Sequence, residues 1–423
     1  MLTILRGVFF FIFLFLIFPV VVFSSSSCGD TTVRIMTWNL LNFPSQSNII
    51  EDTTTRLPCY RAVIQYVNPD ILVTQENSAS NSVSIFLQSV MNANGSQYNA
   101  GTFINGYDTD NGIFYRTSCF RFISNIPIST ALRDINLFTL IHISTNDTIR
   151  IFSCHLKATS GAVNEALRLA ETDSVRKVTN AFLHGTDFLI CGDFNFYGSY
   201  EAGYQRLLEV DSTSDGNFVD PVSMPGIWNN PVYSDYHTQS PRVRSFGGGS
   251  TGGLDDRFDL ILYSNAVASP GRVTYQSGSL TPVGNDGQHY GDSINAQPNT
   301  AVPQNVAEAL HCAADHLPVY AQFDFAPSIG IAEIIDKDYQ LQLFPNPSTG
   351  EVSFSVRLIQ ASRFDIIIYD QWARAVKIFH EENAKPGFYE RKILKQDELK
   401  AGNYFLRMVT GTGEVISSIF TVE

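Results

Sequence analysis

Lysine is scarce in this 423-residue sequence: between residues 28 and 329 it occurs only at Lys157 and Lys177, and the other basic residues there are arginines. Charged residues are only 16% of the chain, and 41 acids against 28 bases give a formal net charge of −13. Residues 341–423 carry ten acids and ten bases, so nearly all of the negative charge lies on residues 28–329. This composition argues against a protein that holds nucleic acid by bulk charge, because such binding needs a basic face. It does not exclude an enzyme that meets a phosphate group through a cation.

Long apolar runs are missing too, except near the N-terminus. The unbroken run Val8–Phe23 follows Arg6 and precedes four serines. A basic start, an apolar core and small residues predict a secretory signal peptide over residues 1–27. The run is short for a membrane-spanning helix, which needs about 20 residues. Cys28 comes next, but Ser25 stands where a lipoprotein signal usually has Leu, so we expect ordinary cleavage rather than lipidation.

Cysteine is also sparse: there are six, and no Cys-x-x-Cys or Cys/His spacing of a structural zinc site. An exported protein is permitted disulfides, but the sequence does not determine their pairing. Cys154 and Cys191 lie inside apolar runs, and we expect both to be small buried core side chains.

What the sequence does contain, in residues 28–326, is an alternation of short β-branched runs and helical stretches, which predicts an α/β sandwich domain. The predicted strands are Val33–Trp38, Ile71–Thr74, Ile113–Tyr115, Ile149–His155, Phe188–Cys191, Phe258–Tyr263 and Val319–Phe323, and the predicted helices are Arg56–Tyr66, Ser82–Met91, Asn164–Leu183 and Gln304–Ala313. Two segments are irregular: the glycine-rich Ser245–Gly253 and the long polar insertion Ser269–Pro303. Loops this long are usually functional or mobile.

The character of the chain changes after residue 326. Residues 327–340 are predicted to be a linker. Residues 341–423 consist of short strand candidates separated by turns, such as Lys385-Pro386-Gly387. This spacing predicts a small all-β sandwich domain.

Polar and ionisable residues stand at the boundaries of six predicted strands. The motifs are Thr37-Trp38-Asn39, Gln75-Glu76-Asn77, Cys154-His155-Leu156-Lys157, Gly192-Asp193-Phe194-Asn195, Arg257-Phe258-Asp259 and Asp315-His316-Leu317-Pro318. Each motif alone is weak, because a lone Asp at a strand end is usually a turn or cap residue and a lone His usually a structural one. Six together indicate one site, because rigid strands direct the residues at their ends into one crevice.

The residue types in these motifs suit a hard cation and a phosphate. Glu76 can bind Mg²⁺ through one carboxylate, Asn39 can supply a neutral oxygen, and Asp315 can complete the shell. Asp193 can orient water. His155 and His316 can carry protons or stabilise transition-state charge, and Asp259 can hold one imidazole in the correct tautomer.

This ordered set, over about residues 33–325, resembles the endonuclease/exonuclease/phosphatase superfamily, also called the deoxyribonuclease I-like fold. The resemblance implies a four-layer sandwich of two mixed β-sheets flanked by helices, and hydrolysis of phosphate esters with divalent cations. It implies Mg²⁺ binding by Asn39 and Glu76. It further implies a catalytic set in which Asp193 activates water, Asn195 binds phosphate, Asp259 orients a histidine and Asp315 pairs with His316; in that set His155 is the first catalytic histidine and His316 the general base or acid.

The segment Asn111–Arg116 resembles the part of the family that contacts phosphate, which would make Tyr115 and Arg116 phosphate ligands. The alternative for Tyr115 is an aromatic packed in the core. The sequence departs from the family pattern at Leu41, where many members have an acid, and no carboxylate partner for His155 is identifiable. The glycine-rich stretch with Asp255-Asp256 and the insertion that follows it belong to no family motif. Shaping of the substrate groove and binding of a structural Ca²⁺ are two interpretations of these segments, and solvated turn acids are the favoured interpretation of Asp255 and Asp256.

The tail has its own resemblance. Leu343–Gly350, Ile368-Tyr369-Asp370 and Gly402–Arg407 resemble the type A C-terminal sorting domain of the type IX secretion system, although Ala373 replaces a usual Gly. The resemblance implies a Bacteroidota source and secretion or surface attachment through that machinery. A plain adhesive β-domain is the alternative.

The leading prediction is a secreted, monomeric, Mg²⁺-dependent phosphodiesterase, in which Mn²⁺ can substitute, acting on extracellular DNA or RNA. Two alternatives stay open. One is a sphingomyelinase-like enzyme for lipid phosphodiesters or a phosphatase, and the other is a non-enzymatic surface protein. The ionisable set argues against the last, because a binding module has no need of both histidines and all four acids.

Overall fold

The computed structural model describes residues 32–44, 53–268, 271–325, 341–349, 351–358, 362–372, 374–385, 387–392, 399–410 and 415–423. The predicted signal peptide and linker lie outside these ranges. The strands of the first region are β1 (Thr32–Phe43), β2 (Ile71–Asn77), β3 (Tyr98–Ala100), β4 (Asp110–Arg116), β5 (Phe120–Ile128), β6 (Ile135–His142), β7 (Thr148–His155), β8 (Phe188–Asp193), β9 (Phe218–Val219), β10 (Asp259–Ser264), β11 (Val273–Tyr275), β12 (Thr281–Pro282) and β13 (Val319–Phe325). Its α-helices are α1 (Thr53–Val67), α2 (Ser82–Phe86), α3 (Ala162–Thr179), α4 (Ala202–Leu208), α5 (Asn265–Ala268) and α6 (Gln304–Ala313), with a π-helical turn at Leu87–Met91 and a 3₁₀ turn at Pro231–Tyr236.

These strands form two mixed sheets. The first sheet has the order β11-β13-β1-β2-β4-β3, with β12 also paired to β13, and the second has the order β5-β6-β7-β8-β10-β9. In each sheet one central pair is parallel, β1 with β2 and β7 with β8, and the strands flanking it are antiparallel. Each parallel pair is joined by a helical crossover, which is the connection that parallel strands require.

Three apolar clusters show that the two sheets and the helices form four layers. One cluster lies between the sheets and joins residues such as Ile35 and Val73 to Ile151 and Leu189. A second cluster packs α1 and α6 on the outer face of the first sheet. A third packs α3 and α4 on the outer face of the second. The predicted four-layer α/β sandwich is therefore confirmed.

All seven predicted strands and all four predicted helices of this region are present, with boundaries that shift by a few residues. The prediction missed β5 and β6 at the edge of the second sheet, the short strands β3, β9, β11 and β12, of which the last two lie in the insertion predicted to be irregular, and the short helices α4 and α5. It was also wrong to end the first strand before Asn39, because β1 continues to Phe43. The cysteines behave as expected: Cys154 and Cys191 are fully buried thiols.

The C-terminal end of α6 is tied to the rest of the first region by covalent and polar contacts. A disulfide joins Cys59 of α1 to Cys312, which lies 253 residues later. The buried Arg56 donates from Nε to the carbonyl of Ala313 at 2.9 Å. This end of α6 immediately precedes Asp315 and His316, so these contacts help to fix the position of both.

The C-terminal region consists of two antiparallel sheets around one apolar core. One contains β14 (Leu341–Phe344), β15 (Ser353–Leu358) and β18 (Gly387–Lys392), and the other β16 (Ser362–Tyr369), β17 (Ala375–Ala384), β19 (Gly402–Thr410) and β20 (Val415–Val422). Side chains such as Phe354, Ile366 and Leu406 fill the core. The predicted small all-β sandwich is confirmed. Among the described helices of the chain, none has the length and apolar character needed to cross a membrane.

Candidate active site

The strand register brings three of the predicted site residues side by side at one edge of the second sheet. Asp193 on β8 is the register partner of His155 on β7 and of Asp259 on β10. On the first sheet, Asn39 lies on β1 and Glu76 on β2. Both sheets therefore present ionisable side chains at the same end of the sandwich.

Asp193 lies at the centre of this cluster. Its Oδ2 atom accepts a hydrogen bond from Asn39 Nδ2 at 3.1 Å and lies 3.4 Å from His155 Nε2 and 3.6 Å from His316 Nε2. Burial raises the pKa of Asp193 to about 7, and the charges of Asp259 and Glu76 add to the rise, while His316 and the Asn39 hydrogen bond partly offset it. A carboxylate with a pKa near neutrality can accept a proton at the pH at which it works.

Glu76 sits on a backbone that non-glycine residues rarely adopt. Its φ is +59°, and Leu41 and Asn42 of the neighbouring strand also have positive φ, of +49° and +48°. This turn of the backbone lets Glu76 accept hydrogen bonds from the Asn42 amide at 2.7 Å and from Asn39 Nδ2 at 3.0 Å. The unusual conformation is held in place by these bonds, so the carboxylate has a fixed position.

His316 lies between two acids, Asp259 and Asp193. Its Nδ1 contacts Asp259 Oδ2 at 2.7 Å, and its Nε2 lies 2.5 Å from the side-chain amide of Gln239. Burial alone would lower the pKa of His316, but the charges of Asp259 and Asp193 and the hydrogen bond to Asp259 raise it well above its usual value. The neighbouring acids therefore favour the protonated form of the imidazole, which can donate a proton or stabilise negative charge.

His155 has the opposite character. Burial, and then the positive charges of Arg133, His316 and Lys157, lower its pKa well below the usual value. Its Nδ1 is buried and has no hydrogen-bond partner among the described residues. The sequence does not reveal a carboxylate partner for His155, and none of the described residues supplies one at Nδ1. Nε2 lies 3.4 Å from Asp193 Oδ2 and 3.9 Å from Glu76 Oε1.

Asn195 is placed at the site by its own motif. Its φ is +52°, and its backbone N–H donates to Asp193 Oδ1 at 3.2 Å. Its side-chain nitrogen donates to the carbonyl of Leu156 at 3.3 Å. Gly192, the first residue of the same motif, is required for a steric reason: a Cβ there would lie 2.0 Å from the carbonyl oxygen of Cys154. Only glycine lets β8 approach β7 this closely.

A hydrogen-bonded network of buried polar side chains lies between the two sheets, next to the site. Thr37 Oγ1 donates to Gln75, Gln75 donates to Ser153 at 3.1 Å, and Ser153 donates to Asn111 at 2.9 Å. Asn111 in turn donates to Asn136 at 2.9 Å. Because each of these buried groups has a partner, the network fixes the relative position of the strands that carry Glu76 and His155.

The prediction that Tyr115 and Arg116 bind phosphate at this site is wrong. The antiparallel register pairs Tyr115 with Ile71 at the start of β2, the end opposite Glu76, and Tyr115 packs in the core between the sheets. Arg116 is buried in an ion pair with Asp70, with an Nε–Oδ1 distance of 2.9 Å. From the same segment, it is Asn111 at the other end of β4 that reaches the site network.

The donor set partly fits a divalent cation. Burial and the nearby charge of Asp315 raise the pKa of Glu76, a repulsion that a bound cation would relieve. Asp315 Oδ1 is buried and has no hydrogen-bond partner in the described part of the chain. Asn39 differs from the prediction, since its oxygen accepts from the Leu41 amide and its nitrogen faces the carboxylates. Within the described ranges, there is no group of three or more His, Cys, Asp or Glu side chains placed so that they could hold a metal ion together. A Mg²⁺ ion that keeps several waters needs only one or two carboxylates, and Glu76 and Asp315 can supply them.

Of the two adjacent acids Asp255 and Asp256, only Asp256 differs from its sequence interpretation as a solvated turn acid. Asp255 accepts a hydrogen bond from Asn229 at 2.9 Å. Asp256 is not a solvated turn acid, because burial, followed by the charge of Asp255, raises its pKa to about 7.

Glu171 of α3 provides a pH-dependent test of the packing beside the His155 motif. Its Oε2 accepts from the Lys157 amide at 3.0 Å, and burial raises its pKa to about 6 from 4.5. The charged form therefore destabilises the folded state, with the cost absent below about pH 4.5 and complete above about pH 6, so stability falls as the pH rises through this window. We expect Glu171→Gln, which keeps the acceptor, to raise the free energy of unfolding by up to about 2 kcal/mol at pH 8 and to have little effect at pH 4. Denaturant titrations at both pH values measure this, and an equal effect at both would contradict it.

Two site contacts were not predicted from the sequence. Gln239 contacts His316, and the Ser250 amide donates to Asp315 Oδ2 at 2.6 Å. Both residues lie in irregular segments without periodic apolar positions. The glycine-rich stretch was the only signal that pointed to this part of the chain.

Comparison with known proteins identifies the C-terminal region directly. Residues 342–422 match the family described as the secretion system C-terminal sorting domain. No curated protein matches the chain.

Among solved structures, the chain is similar to D. rerio TDP2 complexed with single strand DNA product, with 15% identity and a TM-score of 0.45 over 70% of this chain and 100% of that one. It is also similar to the human Nocturnin catalytic domain with bound sulfate anion, with 17% identity and a TM-score of 0.44 over 70% and 96%. A third is an endonuclease/exonuclease/phosphatase family protein from Bacteroides thetaiotaomicron, with 15% identity and a TM-score of 0.44 over 70% and 95%. The family match marks this chain as a secreted or cell-surface protein that carries a C-terminal sorting domain.

Proposed function

We propose that this protein is a secreted phosphoric diester hydrolase that uses a divalent cation and cleaves nucleic acid. The observation that carries the proposal is the contact of one carboxylate, Asp193, with two histidines of opposite protonation behaviour. This arrangement supplies a proton acceptor and a proton donor in one buried crevice, which is what attack on phosphorus and departure of an alcohol require.

In the proposed reaction, Asp193 holds a water molecule and takes its proton as the oxygen attacks phosphorus. The protonated His316, kept in orientation by Asp259, faces the developing negative charge and donates its own proton to the departing oxygen, which leaves Asp193 protonated and His316 neutral. The neutral His155 and the side chain of Asn195 complete the polar wall of the crevice. A divalent cation bound by Glu76 and Asp315 would neutralise the charge of the phosphate.

The acidity of the region is consistent with a cation at the site. Glu76, Asp193, Asp259 and Asp315 place four acids in one crevice, and the positive charges that act on His155 there come from Arg133, His316 and Lys157. Without a cation, such a crevice would repel a polyanion. We therefore expect weak substrate binding that depends strongly on the divalent ion.

A substrate panel tests the proposal with the full-length protein. Plasmid DNA, RNA, sphingomyelin vesicles and a chromogenic phosphodiester are each incubated with and without Mg²⁺, Mn²⁺ or Ca²⁺, beside a His316→Ala variant as a control for contaminating nucleases. We expect Mg²⁺- or Mn²⁺-dependent cleavage of nucleic acid that the variant lacks. Cleavage of sphingomyelin alone would replace the nucleic acid by a lipid substrate, and no hydrolysis of any ester would refute the proposed activity.

A further inference from the structure

The glycine-rich segment holds one of the proposed cation-binding acids. We define the glycine loop as residues 246–250. The amide of Ser250 donates to Asp315 Oδ2 at 2.6 Å, and the carbonyl of Ser250 accepts from Ser240 Oγ at 2.9 Å. The loop therefore contacts Asp315 through its backbone, and its position decides where that carboxylate points.

Arg242 connects the glycine loop to the helix that precedes Asp315. Its buried guanidinium donates to the loop carbonyls of Phe246 and Gly248 at 3.1 and 3.2 Å. The same group donates to the carbonyls of His311 and Cys312 at the end of α6, at 2.7 and 3.0 Å. One guanidinium group thus links the glycine loop to the end of α6, on the two sides of Asp315. Lysine is a poor substitute in this arrangement, because it has a single ammonium group.

Gly249 is the point of closest approach. Its φ is +81°, and a Cβ there would lie 2.7 Å from Asp315 Oδ2 and 2.9 Å from Leu41 Cδ1. Gly252, just beyond the loop, also has a positive φ, of +120°, but a Cβ there would meet no described atom within 4 Å. Both glycines have a positive φ, which favours glycine, but only Gly249 lies close to Asp315.

We propose that the glycine loop, held by Arg242, is a positioning element that fixes the carboxylate of Asp315 for catalysis. The inference rests on the proposed phosphodiester hydrolysis for its effect on rate. Its structural part, the contact of the loop with Asp315, is independent of the substrate. Arg242 acts through the loop and α6 and is a positioning residue rather than a catalytic one.

The comparison of Gly249→Ala with Gly252→Ala tests this proposal. Both variants place alanine at a positive φ, so loss of stability from backbone strain affects both. We expect Gly249→Ala to lower kcat on a phosphodiester about 10- to 100-fold, with a smaller change in KM, because a displaced carboxylate affects the reacting geometry. Gly252→Ala is expected to keep kcat within about twofold of wild type. Equal kcat values in the two variants would overturn the proposal.

Hydrogen exchange provides a readout that does not depend on activity. In wild type, the amide of Ser250 and the segment 313–317 should exchange slowly, and both should exchange faster in Gly249→Ala but not in Gly252→Ala. If wild type cleaves no phosphodiester, the proposed function fails, and this exchange pattern still decides whether the loop holds Asp315. Unchanged exchange in Gly249→Ala would overturn the contact.

A second pair of variants covers the case in which Gly249→Ala does not fold. Arg242→Lys keeps the charge but cannot reach four carbonyls, whereas Arg244→Lys changes an exposed arginine two residues away. We expect the first to lower kcat and speed exchange at residues 250 and 313–317, and the second to do neither. Wild-type kcat and exchange in a folded Arg242→Lys protein would overturn the role of Arg242.

Discussion

Replacing Asp193 by Asn is expected to lower kcat for phosphodiester cleavage by about 10²- to 10⁴-fold. The change keeps the size of the side chain but removes the charge that accepts a proton from water. It also removes the negative partner that lies 3.4 Å from His155 and 3.6 Å from His316. Steady-state rates of the purified variant with Mg²⁺ measure the effect.

The melting temperature separates the effect on catalysis from an effect on folding. Because burial raises the pKa of Asp193, its charge destabilises the folded state, and the Asp193→Asn variant should melt at an equal or higher temperature than wild type. Asp211→Asn, in an exposed turn where the side chain accepts from Thr213, is the matched control and should have wild-type activity. A fully active Asp193→Asn enzyme would remove Asp193 from the mechanism.

Glu76→Gln is expected to have the second-largest effect, a loss of about 10²-fold or more in kcat together with a higher Mg²⁺ concentration for half-maximal rate. Both carboxylate oxygens accept hydrogen bonds, one from the Asn39 side chain and one from the Asn42 amide. In the Gln variant an NH₂ group replaces one of these oxygens, and this hydrogen-bond donor then faces another donor. The variant therefore loses the charge that suits a cation and one of the two hydrogen bonds that hold its backbone at positive φ.

Mg²⁺ titration of the rate distinguishes these losses from a general defect. Glu165→Gln, on the first turn of α3, changes the same residue type outside the site and should keep the wild-type Mg²⁺ dependence. If Glu76→Gln shows a reduced rate with an unchanged Mg²⁺ requirement, Glu76 acts through position alone and the cation must bind elsewhere.

The layered architecture could be predicted from the sequence because central strands have long β-branched runs. The edge strand β5 could not, because Asn125 and Pro127 interrupt its apolar pattern. Proline is tolerated there since an edge strand leaves some of its amides without a ladder partner. β6, a nearly continuous apolar run, lacks the alternation that distinguishes a strand from a short helix.

The site was predictable where its residues follow strands, and Asn39, Glu76, His155, Asp193, Asp259 and His316 do come together. Tyr115 was misplaced because a motif gives the order of residues but not the register of their strand. The contacts of Gln239 and Ser250 could not be predicted, because each depends on a loop conformation fixed by distant groups such as Arg242.

The disulfide between Cys59 and Cys312 has a consequence for the lifetime of an exported protein. Asn39 precedes Cys59 in the chain, and Asp315 and His316 follow Cys312. A protease that cuts any single loop between these cysteines leaves two fragments that remain one covalent molecule. The segment that carries Asn39 and the segment that carries Asp315 and His316 then stay joined through the disulfide between α1 and α6. A nicked molecule in oxidising surroundings therefore keeps these crevice residues together.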